Sequence, residues 1–127
     1  MAITKTARTL VAAATSNAAG ATTRGTLDLN SAYGGVLTLK MATGGTGPTV
    51  QCTANVLVAH NSTLPAAGSA GSDWKTIYSV GSGTAASTTT EQAIPIELGV
   101  MCLEVEFTGN TGQAVTVEAY FSEVTAV

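Results

Sequence analysis

Three carboxylates on alternating positions late in the chain, Glu104, Glu106 and Glu118, are the most concentrated chemistry in the sequence. Carboxylates sharing one strand face could coordinate calcium or engage a basic partner. Calcium asks for about six to eight oxygens, usually from an Asp/Asn/Gly-rich loop, and a flat strand face supplies too few. A solvated charged face is the first reading, partner contact the second and a metal the last. Trp74, Tyr78 and Tyr33 could form a platform for stacking a sugar ring, although core packing is the commoner use of such side chains. The single histidine, His60, stands beside Asn61 and Ser62. A Ser/His/Asp triad needs an ordered nucleophile and an orienting acid, and no Gly-x-Ser-x-Gly elbow is present. Gly44-Gly-Thr-Gly47 lacks the Gly-Lys-Ser/Thr ending of a phosphate cradle, and Gly81-Ser-Gly83 reads as a flexible loop. Two cysteines and one histidine cannot complete a Cys/His zinc site. The expectation is a non-enzymatic chain with no catalytic residue, metal or cofactor.

The elements that position these residues are strands. Met101, Leu103, Val105 and Phe107 alternate with Cys102, Glu104 and Glu106; Val115, Val117, Ala119 and Phe121 alternate with Thr116, Glu118 and Tyr120. Period two means one buried face and one open face. With Gly109-Asn110-Thr111 between them and Gly112 free to take positive φ, the two runs read as one long hairpin that sets Glu104 beside Thr116. The three carboxylates would then cluster on its outer face.

Upstream, residues 1–24 read as a leading strand or arm, with β character from Thr9 to Thr15 and a loop after it. Leu27 and Leu29 alternate with Asp28; Leu37, Leu39 and Met41 alternate with Thr38 and Lys40. A long strand spans Thr49 to His60, with Val50, Cys52, Ala54, Val56 and Val58 on one face. Leu57 and Ala59 make its end apolar on both faces, which predicts cover on both sides. Asn61 to Asp73 is an Ala/Gly/Ser loop, longer than most hairpin connections. Trp74, Thr76, Tyr78 and Val80 then share a face. Pro95 removes a ladder hydrogen bond and predicts a sheet edge for Thr90 to Leu98. Cys52 and Cys102 fall on opposite phases, so free thiols are expected in place of a disulfide. The whole predicts an all-β antiparallel sandwich of seven or eight strands, of jelly-roll or Greek-key type, with residues 25–127 as its body.

At 127 residues the chain has the size of one domain. Only 10% of residues are charged, against roughly 25% in ordinary soluble domains. A neutral surface of Ala, Thr, Gly and Ser tolerates burial against a neighbour, which favours an assembly component. Through His60 the charges are Lys5, Arg8, Arg24 and Lys40 against Asp28; after it, Lys75 stands against seven carboxylates. That split can be satisfied within one domain or between copies, with Lys5, Arg8, Glu104, Glu106 and Glu118 as the candidate partner interface. Five dispersed basic residues make no nucleic-acid patch. The apolar run Leu10 to Ala14 is too short for a secretory signal or a membrane span, so a cytosolically made protein is expected.

Gly25-Thr-Leu-Asp-Leu29, Ala32-Tyr-Gly-Gly35, Gly44-Gly-Thr-Gly-Pro-Thr49, Asp73-Trp-Lys-Thr76 and Val105-Glu-Phe-Thr-Gly-Asn-Thr111 carry a resemblance across most of the chain. In these segments the sequence resembles small tailed-phage virion proteins of the capsid cement or decoration kind. The resemblance implies a jelly-roll or similar sandwich on the capsid exterior, a small homo-oligomer that clamps neighbouring subunits of the major capsid protein. It implies no active residue. The alternatives are a tail or fibre component and a surface carbohydrate-binding module for host recognition, the latter using Trp74 and Tyr78.

Overall fold

The computed structural model describes residues 2–68 and 73–126. Residues 69–72, towards the end of the expected Asn61 to Asp73 loop, and the terminal Met1 and Val127 lie outside the described residues. Eight strands form: β1 (Thr4–Asn17), β2 (Thr23–Asp28), β3 (Gly35–Thr43), β4 (Thr53–Ala59), β5 (Lys75–Gly81), β6 (Thr89–Ile96), β7 (Cys102–Thr108) and β8 (Val115–Ala126). They make two antiparallel four-stranded sheets, in the orders β1-β8-β3-β6 and β2-β7-β4-β5. We call these sheet 1 and sheet 2. Every consecutive pair except β4–β5 changes sheet, which is the jelly-roll arrangement. No helix occurs among the described residues.

The period-two patterns are satisfied by packing one sheet on the other. Leu37, Leu39, Met41, Val117, Ala119 and Phe121 of sheet 1 meet Cys52, Ala54, Val56, Leu103, Val105 and Phe107 of sheet 2 in one buried cluster. Such inward alternation over both sheets makes the sandwich core. The strand carrying Pro95, β6, is an edge of sheet 1, as proline requires. Residues 1–24 carry β1 and the start of β2. β1 lies along β8 from Thr4 opposite Ala126 to Asn17 opposite Val115, with Val11 in the core. Its register shifts around residues 12–14, where Ala14 takes φ 60°.

The long hairpin does not form. β7 pairs with β2 and β4, while β8 pairs with β1 and β3, so the link between them arches from one sheet to the other. Glu104 therefore stands opposite Thr26 and Leu57, not beside Thr116. The reason lies in the arch itself. Asn110 is fully buried; its amide donates to the carbonyls of Asn17 and Gln113, each at 3.0 Å, and its side-chain oxygen accepts from the Asn17 amide at 2.6 Å. Gly109 and Gly112 turn the chain on either side with φ 93° and 83°. A side chain that satisfies buried backbone groups holds a wide crossing where a tight turn would leave the two apolar faces side by side.

Candidate functional site

The outer face of sheet 2 carries a polar row that crosses all four strands. Arg24, Glu106, Asn55 and Ser79 are mutual register partners on β2, β7, β4 and β5. Arg24 Nη2 donates to Glu106 Oε2 at 2.7 Å, Asn55 Nδ2 donates to Glu106 Oε1 at 3.0 Å, and Ser79 Oγ donates to Asn55 Oδ1 at 2.6 Å. One row along, Glu104 is fully buried. Its Oε1 accepts from the Gly68 amide at 2.8 Å and lies 3.8 Å from Arg24 Nε. Its Oε2 has no partner among the described residues. Burial pushes the Glu104 carboxyl above its ordinary value; the Gly68 hydrogen bond and the Arg24 charge oppose that, and the Glu106 charge adds to it.

This face is closed by the loop that follows β4. Trp74 Nε1 donates to the Ala66 carbonyl at 3.0 Å, Cys102 Sγ donates to the Asn61 carbonyl at 3.3 Å, and Asn30 Nδ2 donates to the same carbonyl at 3.1 Å. Ala59, Trp74 and Cys102 form a second small apolar cluster with Leu57, Leu64 and Met101. The predicted double cover of the β4 end is this cluster. Cys52 and Cys102 are free and buried; burial raises both thiols, Cys52 to about 11. Among the described residues no group of three His, Cys, Asp or Glu side chains could hold a metal ion.

Trp74 and Tyr78 do not share a platform. A register shift in β5 puts Tyr78 opposite Val56 and Thr76 opposite Leu57, so the strand changes phase between them. Trp74 is buried under the loop, whereas Tyr78 stands partly exposed on the β5 edge. Nor do the three carboxylates meet. Glu104 and Glu106 lie on sheet 2, and Glu118 lies on sheet 1 opposite Lys40. Arg8 is used within the chain: its Nη1 donates to the buried Glu123 at 2.9 Å. Arg8, Arg24 and their partners thus satisfy part of the charge split inside one domain. Lys5 sits exposed on β1 opposite Val124.

Two features of sheet 1 are open. On its outer face, Thr38, Lys40, Glu91, Ala93, Glu118 and Tyr120 line a depression of about 310 Å³. Lys40 stands between Glu91 on β6 and Glu118 on β8; one row along, Thr38 stands between Ala93 and Tyr120. The other feature is an apolar end. Of seven large exposed hydrophobic residues among those described, four gather there, namely Ile3, Tyr33, Val36 and Leu98. Thr4 pairs with Ala126, the Tyr33 amide donates to Val124 at 2.7 Å, and Gly35 stands opposite both Ile96 and Glu123. These contacts bring the start of β1, the start of β3 and the end of β6 around the end of β8. Leu98 is 73% exposed. The sequence reading missed this end because its members come from three separate loops or strand ends; an apolar Val36 on the open phase of β3 was the one available signal.

No known family model and no curated protein matches the sequence. Solved structures share its architecture. The K3 cleaved adhesin domain of Lys-gingipain from Porphyromonas gingivalis matches with a TM-score of 0.56 at 12% identity, over 84% of this chain and 71% of that one. The SPBc2 prophage-derived protein YomS matches with a TM-score of 0.47 at 17% identity, over 96% of each chain. The xylan-binding domain of carbohydrate-binding module 22 matches with a TM-score of 0.48 at 13% identity, over 97% of this chain and 88% of that one. At these identities the likeness is one of fold, an all-β sandwich.

Proposed function

We propose that this chain is a non-enzymatic structural protein of a phage virion, which decorates and stabilises the capsid by binding between neighbouring shell subunits. In this reading it docks on the capsid exterior against the major capsid protein as a small homo-oligomer, with no nucleic acid, membrane or cofactor involved. The observation that carries the reading is the apolar end formed by Ile3, Tyr33, Val36 and Leu98. Isolated exposed hydrophobic residues need no explanation, but a group of them marks an interaction surface. The sparse charges support the same reading, since Arg8 and Arg24 are already paired within the domain. Fully burying a side chain such as Leu98 contributes about 1.5–3 kcal/mol. Four such residues per copy suffice for modest affinity, and repeated lattice sites raise the effective concentration of an oligomer once one subunit has docked. A ligand of the assembled shell that ignores separated subunits stabilises the shell by mass action.

Co-sedimentation of the purified chain with shells stripped of it tests the reading. Leu98→Asp and Val36→Asp change exposed positions, so both variants should keep the wild-type melting temperature and lose shell binding by about tenfold or more. Wild-type binding that both variants retain would remove the apolar end from docking. A wild-type chain that leaves the shells unbound would remove the decoration role and point to a tail or fibre address.

A further inference from the structure

The depression on the outer face of sheet 1 is used by nothing so far described. Its register is specific. Glu91, Lys40 and Glu118 form a row across β6, β3 and β8, and Ala93, Thr38 and Tyr120 form the next row. Directly opposed residues stand about 5 Å apart, so the charged row spans roughly 10 Å. The ion pairs among the described residues are Arg8–Glu123, Arg24–Glu104 and Arg24–Glu106, and Lys40 belongs to none of them. Lys40, Glu118 and Tyr120 are half-buried, and Glu91 is exposed. Donors and acceptors are therefore held on a firm sheet and left open to a ligand. Beside them Tyr120, Thr38 and Ala93 line the same depression, an aromatic side chain next to two small ones.

We propose that this depression binds a neutral saccharide, with a sugar ring packed against Tyr120 and its neighbouring hydroxyls shared between Lys40 and the flanking Glu91 and Glu118. The chemistry selects that class. An anion would gain Lys40 but face two carboxylates, and a cation would gain the carboxylates but meet the ammonium. A neutral polyol meets no such conflict, because each hydroxyl donates to a carboxylate and accepts from the ammonium. Hydrogen bonds to charged groups are the stronger kind, and an aromatic face covers the apolar side of a sugar ring. The binding is independent of the decoration reading. Val36 shares this face of β3 with Thr38 and Lys40 and lies four residues from Lys40, about 13 Å at strand rise, so the apolar end and the depression are neighbouring sites on sheet 1.

An array of immobilised neutral, acidic and basic oligosaccharides, probed with the labelled full chain, tests the inference. The wild type should bind a subset of the neutral probes. Tyr120→Ala and Lys40→Met should each weaken that binding by about tenfold or more, while Tyr120→Phe, which keeps the ring, and Leu98→Asp should retain it. Unchanged melting temperatures separate loss of the site from loss of the fold, and Tyr120→Phe with Lys40→Met decides the matter if Tyr120→Ala unfolds. No binding to any neutral probe, binding confined to charged probes, or neutral binding that survives both Tyr120→Ala and Lys40→Met would each overturn it.

Discussion

Replacing Glu104 with Gln should stabilise the protein at neutral pH. Glu104 is fully buried, and only one of its oxygens is satisfied, by the Gly68 amide at 2.8 Å. The other has no partner among the described residues. An unsatisfied buried polar atom costs about 1–3 kcal/mol, and more when it is charged. Gln keeps the acceptor for Gly68 and removes the charge; its amide nitrogen takes the place of the unpartnered oxygen, so the gain is the relieved desolvation of the charge alone. Arg24 is not stranded by the change, because its shorter contact is with Glu106 at 2.7 Å, while Glu104 lies 3.8 Å away. Balancing the relieved desolvation against that longer contact leaves a net gain of about 1 kcal/mol. The sign with pH follows from the raised carboxyl. The folded state holds this proton more tightly than the unfolded chain, so the destabilisation is complete above the folded pKa and fades as pH falls through it. Urea unfolding followed by Trp74 fluorescence should place the midpoint of Glu104→Gln about 0.5 M above wild type at neutral pH. The gap should close as the pH approaches about 4. A variant less stable than wild type at neutral pH would refute the reasoning and show that the Arg24 contact outweighs desolvation.

Ala14 adopts φ 60° in the irregular stretch of β1. A left-handed conformation costs an alanine about 1–2 kcal/mol, and glycine gives back about 0.4–1 kcal/mol through the unfolded chain. Ala14→Gly should therefore raise stability by about 0.5–1 kcal/mol in the same urea assay; a loss would mean that the alanine methyl contributes packing. Asn110→Ala should cost about 2–3 kcal/mol, since it removes the donor to the Asn17 and Gln113 carbonyls at a buried site, while the Asn17 amide keeps its bond to the Ala21 carbonyl. A cost below about 1 kcal/mol would show that the arch between the sheets does not depend on that side chain.

How much of this was legible follows from what period two records. It records which way a side chain faces, and Leu37, Leu39, Met41, Leu103, Val105, Phe107, Val117, Ala119 and Phe121 all face the core as their alternation requires. It does not record which sheet a strand joins. An inward Val117 looks the same whether β8 lies beside β7 or across the sandwich from it, so the hairpin reading failed where Asn110 turns the chain across. Nor does it survive a change of phase within a strand, and the irregularity in β5 is what separates Trp74 from Tyr78. The burial of Glu104 was half visible. Leu57 and Ala59 on the open phase of β4 announced a cover there, and Leu57 stands directly opposite Glu104. The depression was hidden for the same reason as the strand order. Glu118 and Tyr120 already shared the open face of β8, but Lys40 joins them only through the pairing of β3 with β8, and Glu91 only through that of β3 with β6.

The most direct test of the decoration proposal is electron cryo-microscopy of the virion that carries this chain, together with mass spectrometry to count its copies. The account predicts hundreds of copies in a regular array on the outer shell, with the end formed by Ile3, Tyr33, Val36 and Leu98 against the major capsid protein. A few copies confined to the tail, or a shell array docked through sheet 2 with that end exposed, would contradict it.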